Sequence, residues 1–359
     1  MIAVTLINLL SVLLTYLYSK NIFKRGFDVA ILILIVFFGI RYNYGNDYPS
    51  YLKIFIDINR YQDLELSTES TGIEPGWKIL NRLFSSIGFF SMVFALTAFQ
   101  FVSIYWLIKR YVYRRYRYAA LFVYLFSFGY MLTMLSMMRQ ALAMNIILWA
   151  IPSILSGKYI KSLLIIALAS QFHQSAYLML VLPFTIYLNN NVNKNVYRII
   201  MVSLFVGAFL SQSMLSTMMQ AIVSDNFEKY NYYMSNEGVK INGGLGFIFN
   251  ILFFLVLVLG DKQSNKKWWL TKCLALSYVF LPFSFVLQLV GRIGMYWQLI
   301  GLPGIFNLYE CYERKIGFKV LMVAFFFIML YGYFTSCYDD LWRKGFMEYH
   351  TIFEASNWM

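Results

Sequence analysis

Long apolar runs separated by short charged clusters recur along the whole chain, from IAVTLINLLSVLLTYLY at residues 2–18 through ILFFLVLVLG at 251–260. Many approach or exceed the roughly 18 residues that a membrane-spanning helix requires. Backbone in lipid has to satisfy its own hydrogen bonds, which leaves helices or a closed barrel. Barrel strands would alternate polar and apolar positions over ~10 residues, and these runs do not alternate. The pattern therefore predicts an all-α, polytopic membrane protein of about 12 transmembrane helices, folded as a single transmembrane domain over residues 1–359. The first run has no basic residue before it and no small-residue cleavage site after it, so it is expected to stay as a helix and not to be removed as a signal peptide.

Three apolar stretches carry an isolated polar residue near their centre. Residues 119–157 hold Arg139 as their only charge, and residues 273–310 hold Arg292 within GRIG. Both are long enough to turn back as helical hairpins, with the arginine at the apex. The run 159–188 has His173 midway and fits either one overlong helix or two short ones. Charge decides between them. Loops at 20–28, 109–118, 157–161, 189–198, 261–272 and 310–319 collect 19 Lys/Arg against 4 Asp/Glu, while the rest of the chain holds 11 basic and 13 acidic residues. This is the positive-inside asymmetry, and it places both termini outside. It survives only if 159–188 crosses twice. Two crossings of about 14 residues rise only about 21 Å, short of the ~30 Å hydrocarbon core, so the turn at His173 is expected to lie sunken in an outward-facing polar pocket.

Composition supports this picture: 60% of residues are apolar, 13% are charged, and the mean hydropathy is +0.60. The net charge of +13 reads as topology, not as a nucleic-acid surface. No GxxxxGK[ST] and no GxGxxG after a strand is present, and no soluble domain exists to hold a nucleotide, so an activated donor is expected to arrive on a lipid. Cys273, Cys311 and Cys337 lack metal-ligand spacing, and two histidines are too few for a His-rich site. Neither a metal nor another cofactor is expected.

Candidate chemistry is densest in the loop 41–83, which with loop 216–244 is read as an outer lid. It opens with RYNYGNDYPSY, runs acidic through Asp57, Asp63, Glu65 and Glu69, and closes with EPGWKILNRLF, an amphipathic segment suited to the membrane interface. Lys78, Arg82 and Arg343 are read as cations that snorkel to head groups. Arg139 and Arg292, alone in apolar hairpins on the side poor in basic residues, call for an anionic partner, and arginines bind phosphate bidentately. His173 fits a hydrogen-bonded buried histidine as well as a general acid or base. Glu74, beside Pro75-Gly76, and Asp47 are candidates for activating a hydroxyl, or else ordinary loop acids. Tyr44 and Tyr48 either join an interfacial aromatic belt or stack on sugar faces.

RYNYGNDYPSY, IEPGWKILNRLF, SMMRQALAMNI, SQFHQSAYLML and FMEYHTIFE occur in the order and spacing found in EpsG-type, Wzy-like polysaccharide polymerases, a resemblance that spans about residues 30–355. It implies a GT-C-like membrane glycosyltransferase of the bacterial cytoplasmic (inner) membrane. Such an enzyme takes undecaprenyl-diphosphate-linked oligosaccharides at the outer, periplasmic face. It transfers the growing chain en bloc to a new unit and works alongside a flippase and a chain-length regulator. Arg41, Asp47, Glu74, Arg139 and His173 match family positions, whereas Arg292 rests on the hairpin pattern alone. Arg139 and Arg292, with Arg41, are then expected to hold the diphosphate, and Glu74, Asp47 or His173 to deprotonate the acceptor. A flippase, an O-antigen ligase-type enzyme and an O-acetyltransferase are the rival readings.

Overall fold

In a computed structural model, which describes residues 1–60, 72–127, 129–212, 214, 217, 245–260, 266–284 and 288–357, the chain is helical almost throughout. Four helical segments among the described residues are long and apolar enough to cross a membrane: Ile2–Ser19, Phe89–Tyr111, Met138–Leu155 and Ile316–Tyr338. Shorter apolar helices cover Gly26–Gly39, Tyr159–Ser170 and Gly246–Leu259. This is a helical membrane protein. The chain divides into two compact units, residues 1–180 with 326–359, and residues 181–325.

The first unit contains α1 (Ile2–Ser19), α2 (Gly26–Gly39), α3 (Tyr48–Arg60), α4 (Pro75–Leu83), α5 (Phe89–Tyr111), α6 (Arg117–Phe126), α7 (Met131–Ser136), α8 (Met138–Leu148), α9 (Ile151–Leu155) and α10 (Tyr159–Ser170). Its first helix is inside out. Asn8, Ser11 and Thr15, spaced to share one face, are buried, whereas Leu6, Leu9, Leu10 and Leu13 lie on the outside. The hydroxyls of Ser11 and Thr15 donate to carbonyls one turn back, at 2.9 and 2.8 Å, which lets these two side chains pack inward with their hydroxyls satisfied. An outward face of leucines beside a buried polar stripe is stable only where the surrounding solvent is lipid.

Among the described residues, one two-stranded ribbon interrupts the helices and joins the segment after α2 to residues 350–351. Arg41–Tyr42 (β1) pairs antiparallel with His350–Thr351 (β2), Arg41 opposite Thr351 and Tyr42 opposite His350. Tyr349 stacks on Phe37 at 4.2 Å, and its hydroxyl donates to the Phe37 carbonyl. Gly45, at φ +115°, donates its N–H to the Gly345 carbonyl at 2.9 Å. A Cβ on Gly345 would lie 2.8 Å from the Asn46 backbone nitrogen, so only glycine allows this approach. The first and last motifs of the sequence are thereby one structural element.

The second unit holds α11 (Leu182–Asn191), α12 (Lys194–Leu210), α13 (Leu245–Leu259), α14 (Lys266–Val279), α15 (Leu281–Ser284), α16 (Gln288–Tyr312) and the start of α17 (Ile316–Tyr338); α18 (Asp340–Phe346) belongs to the first unit. Helices α14 and α16 pack closely because Gly301 and Gly304 are small: a Cβ on either would lie 2.5–2.6 Å from the backbone of Leu274 or Thr271. Within the 273–310 stretch, residues 285–287 lie outside the described residues, and Arg292 stands in the second turn of α16, not at an observed apex. Loop 216–244, expected as a lid element, is outside the described residues except for Thr217.

Candidate active site

Glu74, Arg139 and His173, drawn from three sequence motifs, meet in the first unit. Glu74 precedes α4, where helices favour Ser, Thr, Asp or Asn as caps, yet its side chain caps nothing. It turns away from the helix. Its Oε2 accepts from Arg139 Nη1 at 2.6 Å, and its Oε1 lies 3.2 Å from His173 Nδ1 and accepts the Gln174 backbone N–H at 3.1 Å. The carboxylate is 7% exposed, whereas the Arg139 and His173 side chains are 25% and 23% exposed. A buried carboxylate thus holds two partly accessible groups from beneath.

Each partner is delivered by local structure. The 159–188 run breaks at the expected place: α10 ends at Ser170, residues 171–173 turn, and a 3₁₀ helix runs from Gln174 to Val181. Pro75 opens α4, and the Gly76 N–H donates to the Gln171 carbonyl at 2.9 Å. A Cβ on Gly76 would lie 2.7 Å from that carbonyl oxygen, so Pro-Gly is what seats the helix start on the histidine turn. Met137 breaks the 119–157 stretch (φ −90°, ψ 67°), and Arg139 opens the returning helix. Met138 is fixed in a core of Tyr51, Phe55, Trp77, Phe89 and Met92, which aims its neighbour Arg139 at Glu74. The Arg139 N–H also donates to the Tyr51 hydroxyl at 3.5 Å.

Burial alone would raise the carboxyl pKa of Glu74, but the His173 hydrogen bond, the Arg139 charge and the Gln174 N–H outweigh it and hold it down to about 2. A carboxylate so stabilised is a poor proton acceptor. By accepting Nδ1–H it fixes the imidazole tautomer and leaves Nε2 as the ring nitrogen able to take a proton. The arrangement can therefore orient a histidine base and neutralise charge on a leaving group.

The other expected site residues take no part in the hydrogen bonds of Glu74. Arg41 is 2% exposed, and its guanidinium donates to the Phe38 carbonyl at 2.8 Å, Thr97 Oγ1 at 2.5 Å and the Leu135 carbonyl at 3.4 Å. It braces α2, α5 and α7 through Nη1 and Nη2, and the reading of Arg41 as a diphosphate ligand gives way to a structural one because both terminal nitrogens are bound to protein and the whole side chain, Nε included, is buried. The Tyr44 ring is packed by Phe346 and Tyr349 and the Tyr48 ring by Tyr42 and Phe89, with exposures of 0% and 1%. Neither offers a face to a sugar. Asp47 leads into α3, its N–H donating to Ser136 Oγ at 3.2 Å and its carbonyl accepting from Tyr51 at 3.0 Å. It stands on the wall that carries Tyr51, not in the Glu74 contacts. Arg292 is half-buried in the second unit. Asp63, Glu65 and Glu69 are outside the described residues.

A family model described as the EpsG family matches residues 5–351, nearly the full length. The chain belongs to the EpsG family. No curated protein and no solved structure matches it significantly. Within this EpsG family member, sequence reasoning passed over Lys78, read as a snorkelling cation. Lys78 is 1% exposed, and so is turned inward, while Ile79 and Leu83 on the same helix are 53% and 69% exposed. The visible signal was the spacing of Glu74, Lys78 and Arg82, which at four-residue intervals share one helical face.

Replacing Gly76 by Val is expected to cut activity at least ~10-fold by driving the α4 start off the Gln171 carbonyl, since displacements near 1 Å are enough to spoil catalytic alignment. Membrane insertion should be unaffected. Activity and protein level measured side by side check this, and normal activity at normal level would refute the seating role of Gly76.

Proposed function

We propose that this EpsG family protein polymerises undecaprenyl-diphosphate-linked oligosaccharide repeat units into O-antigen, capsular or exopolysaccharide. The reaction takes place at the outer face of the bacterial cytoplasmic membrane, within about twelve helices whose two termini lie outside. The observation that carries the reading is the convergence of Glu74, Arg139 and His173 from three motifs into one hydrogen-bonded cluster. His173 Nε2 accepts the proton of an acceptor sugar hydroxyl, and Glu74 holds the imidazole and balances the imidazolium that forms. The hydroxyl oxygen bonds to the anomeric carbon of the growing chain. The bond from that carbon to the lipid diphosphate breaks, and its electron pair leaves on phosphate. Arg139 stands nearest to compensate that charge. Arg292 is proposed as a further diphosphate ligand on the strength of its place in an apolar hairpin.

The test is genetic. Deleting the gene should leave surface lipid or carrier bearing one repeat unit in place of a ladder of lengths, and plasmid-borne wild type should restore the ladder. An unchanged ladder would overturn the assignment. Loss of the single-unit band as well would point to a flippase or ligase.

A further inference from the structure

Beyond Glu74, the face of α4 gathers buried donors that the protein leaves unused. The Lys78 ammonium is buried without a hydrogen-bond partner among the described residues, as are Nε and Nη2 of Arg82, Nε1 of Trp77 and Nε of Arg139. Glu74, one turn before Lys78, does not satisfy it. Its Oε2 is bound by Arg139, and its Oε1 by His173 and the Gln174 N–H. Buried polar groups are paired in well over nine cases in ten, and an unpaired buried cation costs several kcal/mol. Among the described residues, Glu74 is the carboxylate bonded in this cluster, and the donors left without a partner call for an anion.

We infer that Lys78 and Arg82 seat a lipid-borne diphosphate beside the Glu74–His173 pair. Two features of α4 select this ligand. Lys78 and Arg82 supply two positive charges one helical turn apart, which fits two linked phosphates better than one. Ile79 and Leu83 face outward on the same helix, so the buried donors lie one helix width from an apolar outer surface, the place where a lipid's polar group meets its tail. This rests on the polymerase reading, in which the diphosphate is that of the polyprenyl donor, and it moves the anchoring role from Arg41, whose Nη1 and Nη2 are both bound to protein, to Lys78 and Arg82. It also separates binding from chemistry: α4 holds the leaving group while the turn at His173 handles the proton.

The test uses full-length protein in detergent, with farnesyl diphosphate, farnesyl monophosphate and a short-chain phosphatidylglycerol as probes and the melting temperature as readout. Farnesyl diphosphate should raise the melting temperature of wild type more than either comparator. Lys78→Met should weaken its binding about 10- to 100-fold, the loss typical of a charge-assisted hydrogen bond, and Lys78→Arg should retain it. Without ligand, Lys78→Met should melt at or above wild type, because removing an unpaired buried charge relieves a cost; a structural lysine would give the opposite. Full binding by Lys78→Met, lower stability of the unliganded variant, or no wild-type response to any probe would overturn the inference. A response to phosphatidylglycerol alone would overturn it too, by assigning the site to a bulk head group. Where Lys78→Met does not accumulate, Arg82→Gln makes the same binding test. Lys78-dependent binding alongside an unchanged ladder on gene deletion would leave the diphosphate site standing and remove the polymerase. An intact polymerase with no such binding would do the reverse.

Discussion

His173→Asn is expected to abolish chain growth in cells and to lower the transfer rate about 10²- to 10⁴-fold, the usual contribution of a positioned general base. Asparagine is the informative replacement because its side-chain NH₂ stands where Nδ1 was. The donor to Glu74 Oε1, which His173 supplies at 3.2 Å, can be kept while the proton-accepting Nε2 is lost. The carboxylate, the Arg139 pair and the Gln174 N–H remain in place. Substrate binding should therefore change little and the loss should fall in kcat. The measurement is repeat-unit transfer by purified protein, with melting temperature as the folding control. A variant that folds and polymerises at the wild-type rate would return the base role to Glu74 or Asp47.

Much of this architecture was legible in the order of apolar runs and charges, and the reasons are physical. The break at His173 was expected from counting lysines and arginines, because a single crossing of 159–188 would have scattered them over both sides of the predicted topology. The 3₁₀ segment after residue 173 is what that break became. Arg139 was conspicuous because an apolar stretch tolerates a charge only with a partner, and the partner is Glu74. What stayed hidden needed distance. Arg41 looks in sequence like any other loop arginine, and only the approach of Thr97 and the Leu135 carbonyl shows its terminal nitrogens to be engaged inside the protein. Tyr44 and Tyr48 carry the composition of a sugar platform, but the return of the chain more than 300 residues later places Phe346 and Tyr349 over the Tyr44 ring. Lys78 misled for a related reason. In an amphipathic helix beside lipid the apolar face points outward, so a lysine on the other face is carried into the protein instead of out to water.

Glu74→Gln should damage both catalysis and folding, which distinguishes it from His173→Asn. The carboxylate's pKa of about 2 lies below the ordinary 4.5, so the folded state binds the proton less readily than the unfolded chain. The sign follows. Stability from this group is fully present above about pH 4.5 and is lost as pH falls toward 2. The difference corresponds to on the order of 3 kcal/mol, in the range expected when one partner of a buried ion pair is removed. In the Gln variant the Arg139 guanidinium keeps only a neutral acceptor, and Lys78 loses the carboxylate charge that acts on it. His173 loses the counter-charge for its imidazolium and the fixed tautomer that its Nδ1–H bond provides. Orienting carboxylates of this kind govern rate as strongly as the base they hold, so the transfer rate should fall by ~10²-fold or more. In melts of the purified protein between pH 7 and pH 3, wild type should lose stability toward the acid end. The Gln variant should start lower and stay flat over the same interval. Parallel curves for the two proteins would mean that Glu74 is not the ionised hub of the site. Equal stability at neutral pH would show that the Arg139 pair contributes nothing net to the fold, leaving the carboxylate a purely catalytic part.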